Sequence, residues 1–245
     1  TSLTKIALQN TARPMMDATS WKEKSQYFAS PRQQGAGLIN VANALRNEVV
    51  ATFKNTDSKG LVNSYGSISL KEIKGDKKYF TIKLHNTSNR PLTFKVSASA
   101  ITTDALTDRL KLDETYKDEK SPDGKQIVPE IHPEKIKGAN ITFEHDTFTI
   151  SPNSSFDLNA VINVGEAKNK NKFVESFIHF ESVEEMEALN SNGKKINFQP
   201  SLSMPLMGFA GDWNKEPILD KWAWEEGSKS KTMEGYDDDG KPKIP

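Results

Sequence analysis

At Val49 the spacing of apolar residues changes from about 3.6 to 2, and this switch constrains the fold more than any other feature of the chain. Upstream, Leu3, Ile6 and Ala7 recur at helical spacing in a stretch that halts before Pro14, and Leu38, Val41, Ala42 and Leu45 repeat the pattern. Downstream, Phe80, Ile82 and Leu84 alternate with Thr81, Lys83 and His85. Leu92, Phe94, Val96, Ala98 and Ala100 form a second alternating set, and Phe156, Leu158, Ala160, Ile162 and Val164 a third. A period of two puts one face of each strand in a core and the other in water.

Further strands are predicted at Phe173–Phe180 and Ile196–Met207, the latter as an edge because it holds Pro200 and Pro205. Ile141–Ile150 alternates with a parity shift between His145 and Phe148, which predicts a bulge or a bend. Thr87-Ser88-Asn89-Arg90 predicts a hairpin turn. About seven short strands at this spacing predict a mainly β fold, an antiparallel sandwich of fibronectin type III or immunoglobulin-like kind. Two stretches interrupt it. Residues 113–137, with Pro122, Pro129 and Pro133, read as a long insertion, and the acidic Val183–Leu189 as a helical turn.

Residues 1–47 enclose no core of their own and are predicted to end a larger body that lies upstream. Within them Ser30-Pro31-Arg32-Gln33-Gln34-Gly35-Ala36-Gly37 reads as a tight backbone passage rather than a regular element. Residues 48–211 are the sandwich, and 212–245 a linker or the start of the next module. That last stretch holds Trp213, Trp222 and Trp224, which form either an aromatic binding face or a packing nucleus. They lack the basic setting that single-stranded nucleic acid would need.

Composition narrows the function classes. Apolar residues are 35% and charged residues 27% of 245, with 12 Phe, enough to bury a core and to exclude wholesale disorder. Lys plus Arg equals Asp plus Glu at 33 each, so no global field favours nucleic acid or an anionic membrane. The absence of cysteine removes disulfides, thiolate zinc sites, thiol catalysis and iron–sulfur chemistry. No apolar run approaches the roughly 18 residues of a membrane span.

Candidate chemistry is sparse. His85, His132, His145 and His179 are scattered, with no helical pair and no H-E-x-x-H, and read as surface or edge imidazoles. Ser2 lacks the Met-Ala/Ser-x-Pro that would follow a subtilisin-type nucleophile, so Thr1 or Ser2 is read as a helix N-cap. Asp237-Asp238-Asp239-Gly240 hints at a calcium loop but reads better as a solvated turn. Asn86, Asn140 and Asn153 each open a glycosylation sequon, a pattern frequent by chance. Arg32, beside two glycines, is placed either to tie carbonyls or a carboxylate or to stand on the surface.

Two blocks carry a resemblance. Leu3–Ala12 followed by Ser30-Pro31-Arg32-Gln33-Gln34-Gly35-Ala36-Gly37 resembles the C-terminal end of the catalytic domain in Gram-positive cell-envelope subtilisin-like proteinases. Phe173–Phe180 with Met204-Pro205-Leu206-Met207-Gly208-Phe209-Ala210-Gly211-Asp212 resembles the strands closing the first fibronectin-like domain of the streptococcal C5a peptidase and lactocepin group. The Trp-Ala-Trp-Glu-Glu and Tyr-Asp-Asp-Asp-Gly-Lys-Pro runs are most similar to members that trim CXC chemokines.

The resemblance implies a segment of a secreted, wall-attached serine endopeptidase acting on a host protein, with a CXC chemokine as the implied substrate. Its partner in the same polypeptide would be an upstream catalytic domain. The family's Asp, His, Ser and oxyanion Asn all fall before the region matched by Thr1. No catalytic, cofactor-binding or metal residue is therefore assigned to this chain, which alone should be inactive. Calcium is left to the rest of the parent polypeptide, and insertion 103–137 is the candidate exosite. The alternative is a non-enzymatic adhesive or carbohydrate-binding sandwich of a surface protein.

Overall fold

A computed structural model describes residues 2–17, 27–56, 59–111, 126–183, 187–189, 192–193 and 195–213. Among the described residues, three short helices come first: α1 (Ser2–Asn10), α2 (Pro31–Gln34) and α3 (Val41–Arg46). The strands follow as β1 (Val49–Thr56), β2 (Val62–Tyr65), β3 (Ile68–Ile73), β4 (Lys77–Asn86), β5 (Leu92–Ala98), β6 (Thr102–Lys111) and β7 (Gln126–Lys135). After them come β8 (Asn140–Phe143), β9 (Thr147–Ile150), β10 (Ser155–Asn163), β11 (Lys172–Ser182), β12 (Glu187–Leu189), β13 (Lys195–Asn197) and β14 (Leu202–Ala210).

One sheet runs β2-β1-β4-β10-β8 and the other β3-β14-β11-β5-β9, with β6 beside β11 and β7 beside β6. The alternating apolar sets of β4, β5 and β10 meet between the sheets, where Ile82, Leu84, Leu92, Phe94, Leu158 and Ile162 are fully buried. Each such side chain contributes about 1.5–3 kcal/mol by leaving water. The mainly β sandwich expected from the alternation is the fold observed, with one parallel pair, β3–β14, among its ladders.

Where the sequence misled, the cause is local. Asn86–Arg90 is no hairpin, because β4 and β5 belong to different sheets and the turn is an arch between them. The buried Asn86 amide donates to the carbonyls of Arg90 (2.8 Å), Ile150 (3.1 Å) and Ser151 (3.2 Å), satisfying backbone that leaves both sheets. That burial also removes Asn86 as a glycosylation acceptor. The parity shift near His145 is a bend and not a bulge: the chain bends at Glu144 and Asp146, β8 pairs with β10, β9 pairs with β5, and the link between them crosses from sheet to sheet.

β14 is not an edge, for it lies between β3 and β11; Pro205 stands one residue before the pairing with β3 begins. Part of the expected insertion is strand β7, whose two prolines sit on a ladder with β6 alone. The expected helical turn at Val183–Leu189 contains strand β12 at Glu187–Leu189, paired with β13.

The Ser30–Gly37 passage begins with one turn of helix, α2, ended by Gly35 at φ +65°. Gly37 is the tight point: at φ +106° a Cβ there would lie 2.2 Å from the Arg13 carbonyl oxygen.

β3 is an outer strand, and Lys78 of the opposite sheet reaches it, donating to the carbonyls of Leu70 and, at 2.6 Å, Glu72. Burial and the nearby Lys71 push the Lys78 ammonium below its ordinary range against the pull of Glu72. Thr1–Gly211 forms one compact unit and Asp212–Pro245 a second. Of the second, only Asp212 and the half-exposed Trp213 are described; Trp222, Trp224 and Asp237–Asp239 lie outside the described residues.

Candidate functional site

β11 is buried on both faces from Val174 to Ile178. Inward, Val174, Ile178 and Phe180 join the core. Outward, the next parity carries Glu175, Phe177 and His179, and residues 28–32 lie across them.

The covering segment is built from the sequence around it. Asp17 donates to the Tyr27 carbonyl (2.9 Å) and Ala29 to that of Met15 (3.0 Å), making a short antiparallel ribbon. The Gln34 amide ties both arms of that ribbon, accepting from the Met15 N–H (2.7 Å) and donating to the Ala29 carbonyl (2.6 Å). Phe28 then meets Phe177 edge-on at 5.5 Å and His179 at 5.5 Å. Burial pushes the His179 imidazole below its ordinary 6.5.

Charge is concentrated one turn further on. Ser30 caps α2 by accepting from the Arg32 N–H (3.1 Å), and its hydroxyl donates to Glu175 Oε1 (2.8 Å). Arg32 Nε donates to the same oxygen at 2.7 Å and Nη2 to Glu175 Oε2 at 3.3 Å. The same Nη2 also donates to Asp104 Oδ2, at the start of β6. The guanidinium stands 3.9 Å over the Phe173 ring. Burial alone would push the Arg32 pKa down, but Glu175 and Asp104 outweigh it and hold the group above its ordinary value. Of the two readings left open for Arg32, the carboxylate tie is the one formed. It binds two carboxylates, not one.

Other contacts fasten the same segment to the sandwich. Asn10 Oδ1 accepts from the Ala51 N–H (2.9 Å), and Ser203 Oγ donates to the Ala12 carbonyl (3.1 Å). Arg46 donates to the Asn197 carbonyl (3.2 Å), and the buried Gln199 accepts from Glu48 N–H and donates to Asn47 Oδ1, each at 2.8 Å.

The far side of the segment is different. Leu3, Leu38, Ile39, Val41 and Leu45 face water, Leu45 with 83% of its surface exposed. Beside them runs a groove of about 560 Å³ lined by Leu8, Gln9, Ala12, Ala36 and Ile39. Val41 and Leu45, four residues apart on α3, thus turn the apolar stripe of that helix to solvent.

The histidines remain apart. His85 meets Ser155 at 3.0 Å on the exposed side of β4 and β10, His132 sits opposite Ala105 in β7, and His145 lies in the β8–β9 link, 4.0 Å from Glu144. Ser2 opens α1, while Thr1 falls outside the described residues. Among the described residues no three metal-binding side chains cluster, and no helix is long and apolar enough to cross a membrane. Sequence reasoning did not find Glu175, Asp104, Ser30 or Gln199. The available signal was Phe173, Phe177 and His179 on the strand face that should have been wet.

Residues 68–207, spanning β3 into β14, match the Fn3-like domain. The chain belongs to the Fn3-like domain family. Outside its Fn3-like region the likeness continues. A PI-type proteinase of Lactococcus lactis subsp. cremoris is 28% identical over 225 residues, covering 90% of this chain and 10% of that protein. A PII-type proteinase of Lacticaseibacillus paracasei is 26% identical over 220 residues, with the same shares. The Fn3-like chain thus spans about a tenth of the length of the curated relatives it matches. Among solved structures, the PapD-like domain 7 of human CEP192 aligns with TM-score 0.38 and 11% identity, over 67% of this chain and 85% of that one. That likeness is too loose to add to the family match.

Proposed function

We propose that this chain is a non-catalytic, Fn3-like stretch of a secreted, wall-attached subtilisin-like serine endopeptidase. The observation that carries the proposal is the two-sidedness of residues 2–17 and 27–47. One side is fastened to the sandwich, and the other presents Leu3, Leu38, Ile39, Val41 and Leu45 beside an apolar groove. In this reading those residues close the catalytic domain, and the groove is filled by polypeptide that precedes them. The match to proteinases about ten times longer supports it.

The sandwich then works as a rigid brace. Its many buried side chains fix the strands, and loops on such a scaffold hold their positions well enough to meet a folded substrate away from the cleft. The arm built by β6 and β7 is the candidate exosite, and a host protein of the CXC chemokine kind is the proposed substrate. The triad of such an enzyme needs Ser, His and Asp within hydrogen-bond reach, and this reading places all three upstream.

The test is to read the coding sequence before Thr1 and express the chain with and without it. A fluorophosphonate reagent, which labels activated serines, should mark only the longer polypeptide, and chemokine cleavage should follow the labelling. Labelling of the 245-residue chain alone, or an upstream sequence without a serine-protease nucleophile motif, overturns the reading.

A further inference from the structure

Arg32 holds its two carboxylates unequally. The Glu175 side chain keeps 1% of its surface exposed, Asp104 31% and Arg32 itself 29%. A carboxylate as buried as Glu175 needs its partner at all times, whereas Asp104 has water as an alternative. The Ser30 hydroxyl adds a third donor on Glu175, at 2.8 Å, and Phe173 floors the guanidinium at 3.9 Å. The Arg32–Glu175 half is therefore a fixed seat, and the Arg32–Asp104 half is an exchangeable one.

What Asp104 belongs to gives the asymmetry a use. β6 is joined to β11 through a single paired position, Thr102 with Glu175. From Thr102 to Lys111 its ladder is with β7, ten residue pairs long. The root below is firm: Ile101 and Ile136 are buried, and the Ile136 N–H donates to the Ile101 carbonyl at 2.9 Å. A two-stranded arm joined to its sheet at one rung can pivot about that rung, and Asp104 lies two residues beyond it, on the arm.

We infer that Arg32 is a positioning residue: seated on Glu175, it fixes through Asp104 the direction in which the β6–β7 arm leaves the sandwich. The segment bearing the unpartnered apolar side and the arm are thereby linked through one guanidinium. Whatever packs on residues 2–47 is held in register with the arm by this joint.

The chain has no cysteine, so Cys introduced at Val128 in β7 and at exposed Lys170 can be spin-labelled uniquely in the 245-residue chain. Pulsed dipolar spectroscopy should give one narrow distance for the parent and for Asp104→Glu, and a broad distribution for Asp104→Asn. Arg32→Lys, which keeps a charge beside Glu175 but loses the second prong, should behave as Asp104→Asn. Amide exchange across β6 and β7 should rise about two- to five-fold in Asp104→Asn, the range expected for a half-exposed ion pair, while β4 and β10 stay unchanged. A parent-like distribution in Asp104→Asn or in Arg32→Lys overturns the assignment. So does loss of protection throughout the sandwich, which would make the pair a general stability element.

Discussion

The two faces of β11 are covered by different chemistry. Inward, Val174, Ile178 and Phe180 are held by volume, among side chains from both sheets that follow one another at short range along the strands. Outward, Glu175, Phe177 and His179 are held by a handful of directed contacts from residues 28–32, about 145 positions earlier in the chain. A core tolerates small errors of direction because many contacts share the load. The outer seam has fewer, aimed contacts, so single changes should release it without unfolding the sandwich.

The sharpest way to break the contrast is at the core. Phe180→Ala should destabilise the whole sandwich by about 3–5 kcal/mol, with one cooperative loss of all strands in chemical denaturation. A partial transition confined to the N-terminal segment would contradict it. Arg32→Ala should come next, costing about 2–3 kcal/mol because it strands a buried Glu175, a figure reduced from the fully buried case for the exposure of Arg32. Here limited proteolysis should cut residues 2–47 while the sandwich resists; equal sensitivity of both regions would erase the distinction.

Gly37→Ala should cost more than about 1 kcal/mol, since both the positive φ and the Arg13 carbonyl oppose a Cβ. Amide exchange should locate the loss at residues 13–16 and 36–39, not in the strands.

The smallest effect is with pH. The His179 imidazole is depressed in the fold below its ordinary 6.5, so the unfolded chain binds its proton first. Stability from the neutral ring is complete above the unfolded value and is lost as pH falls from there through the folded one. Denaturant midpoints should fall between pH 7 and 5 and fall less in His179→Phe. Equal slopes in both proteins would remove His179 from the seam's pH response.

The same contrast explains what was legible in the sequence. β4, β5 and β10 were readable because one dry face imposes a period of two on neighbouring residues. The sheet-crossing at His145 announced itself as a parity shift, yet a bulge and a change of sheet leave the same mark on the pattern. A hairpin and an arch both need Asn-Thr-Ser-Asn chemistry, so the turn at Asn86 could be located but not its partners. β7 was hidden by Pro129 and Pro133, and β12 is too short to alternate. Arg32 was visible as a residue of interest, but its partners lie 72 and 143 positions away. No local pattern encodes such a pairing.

Lys78 has a consequence for the outer flank of β3. An outer strand with vacant carbonyls is a template on which the next molecule's backbone can crystallise into a ribbon without end. Here a cation from the opposite sheet already sits on the Leu70 and Glu72 oxygens of β3, so that flank offers a newcomer a charge where it seeks an acceptor. The residue that stitches one sheet to the other thus also blunts that flank against the addition of a further strand.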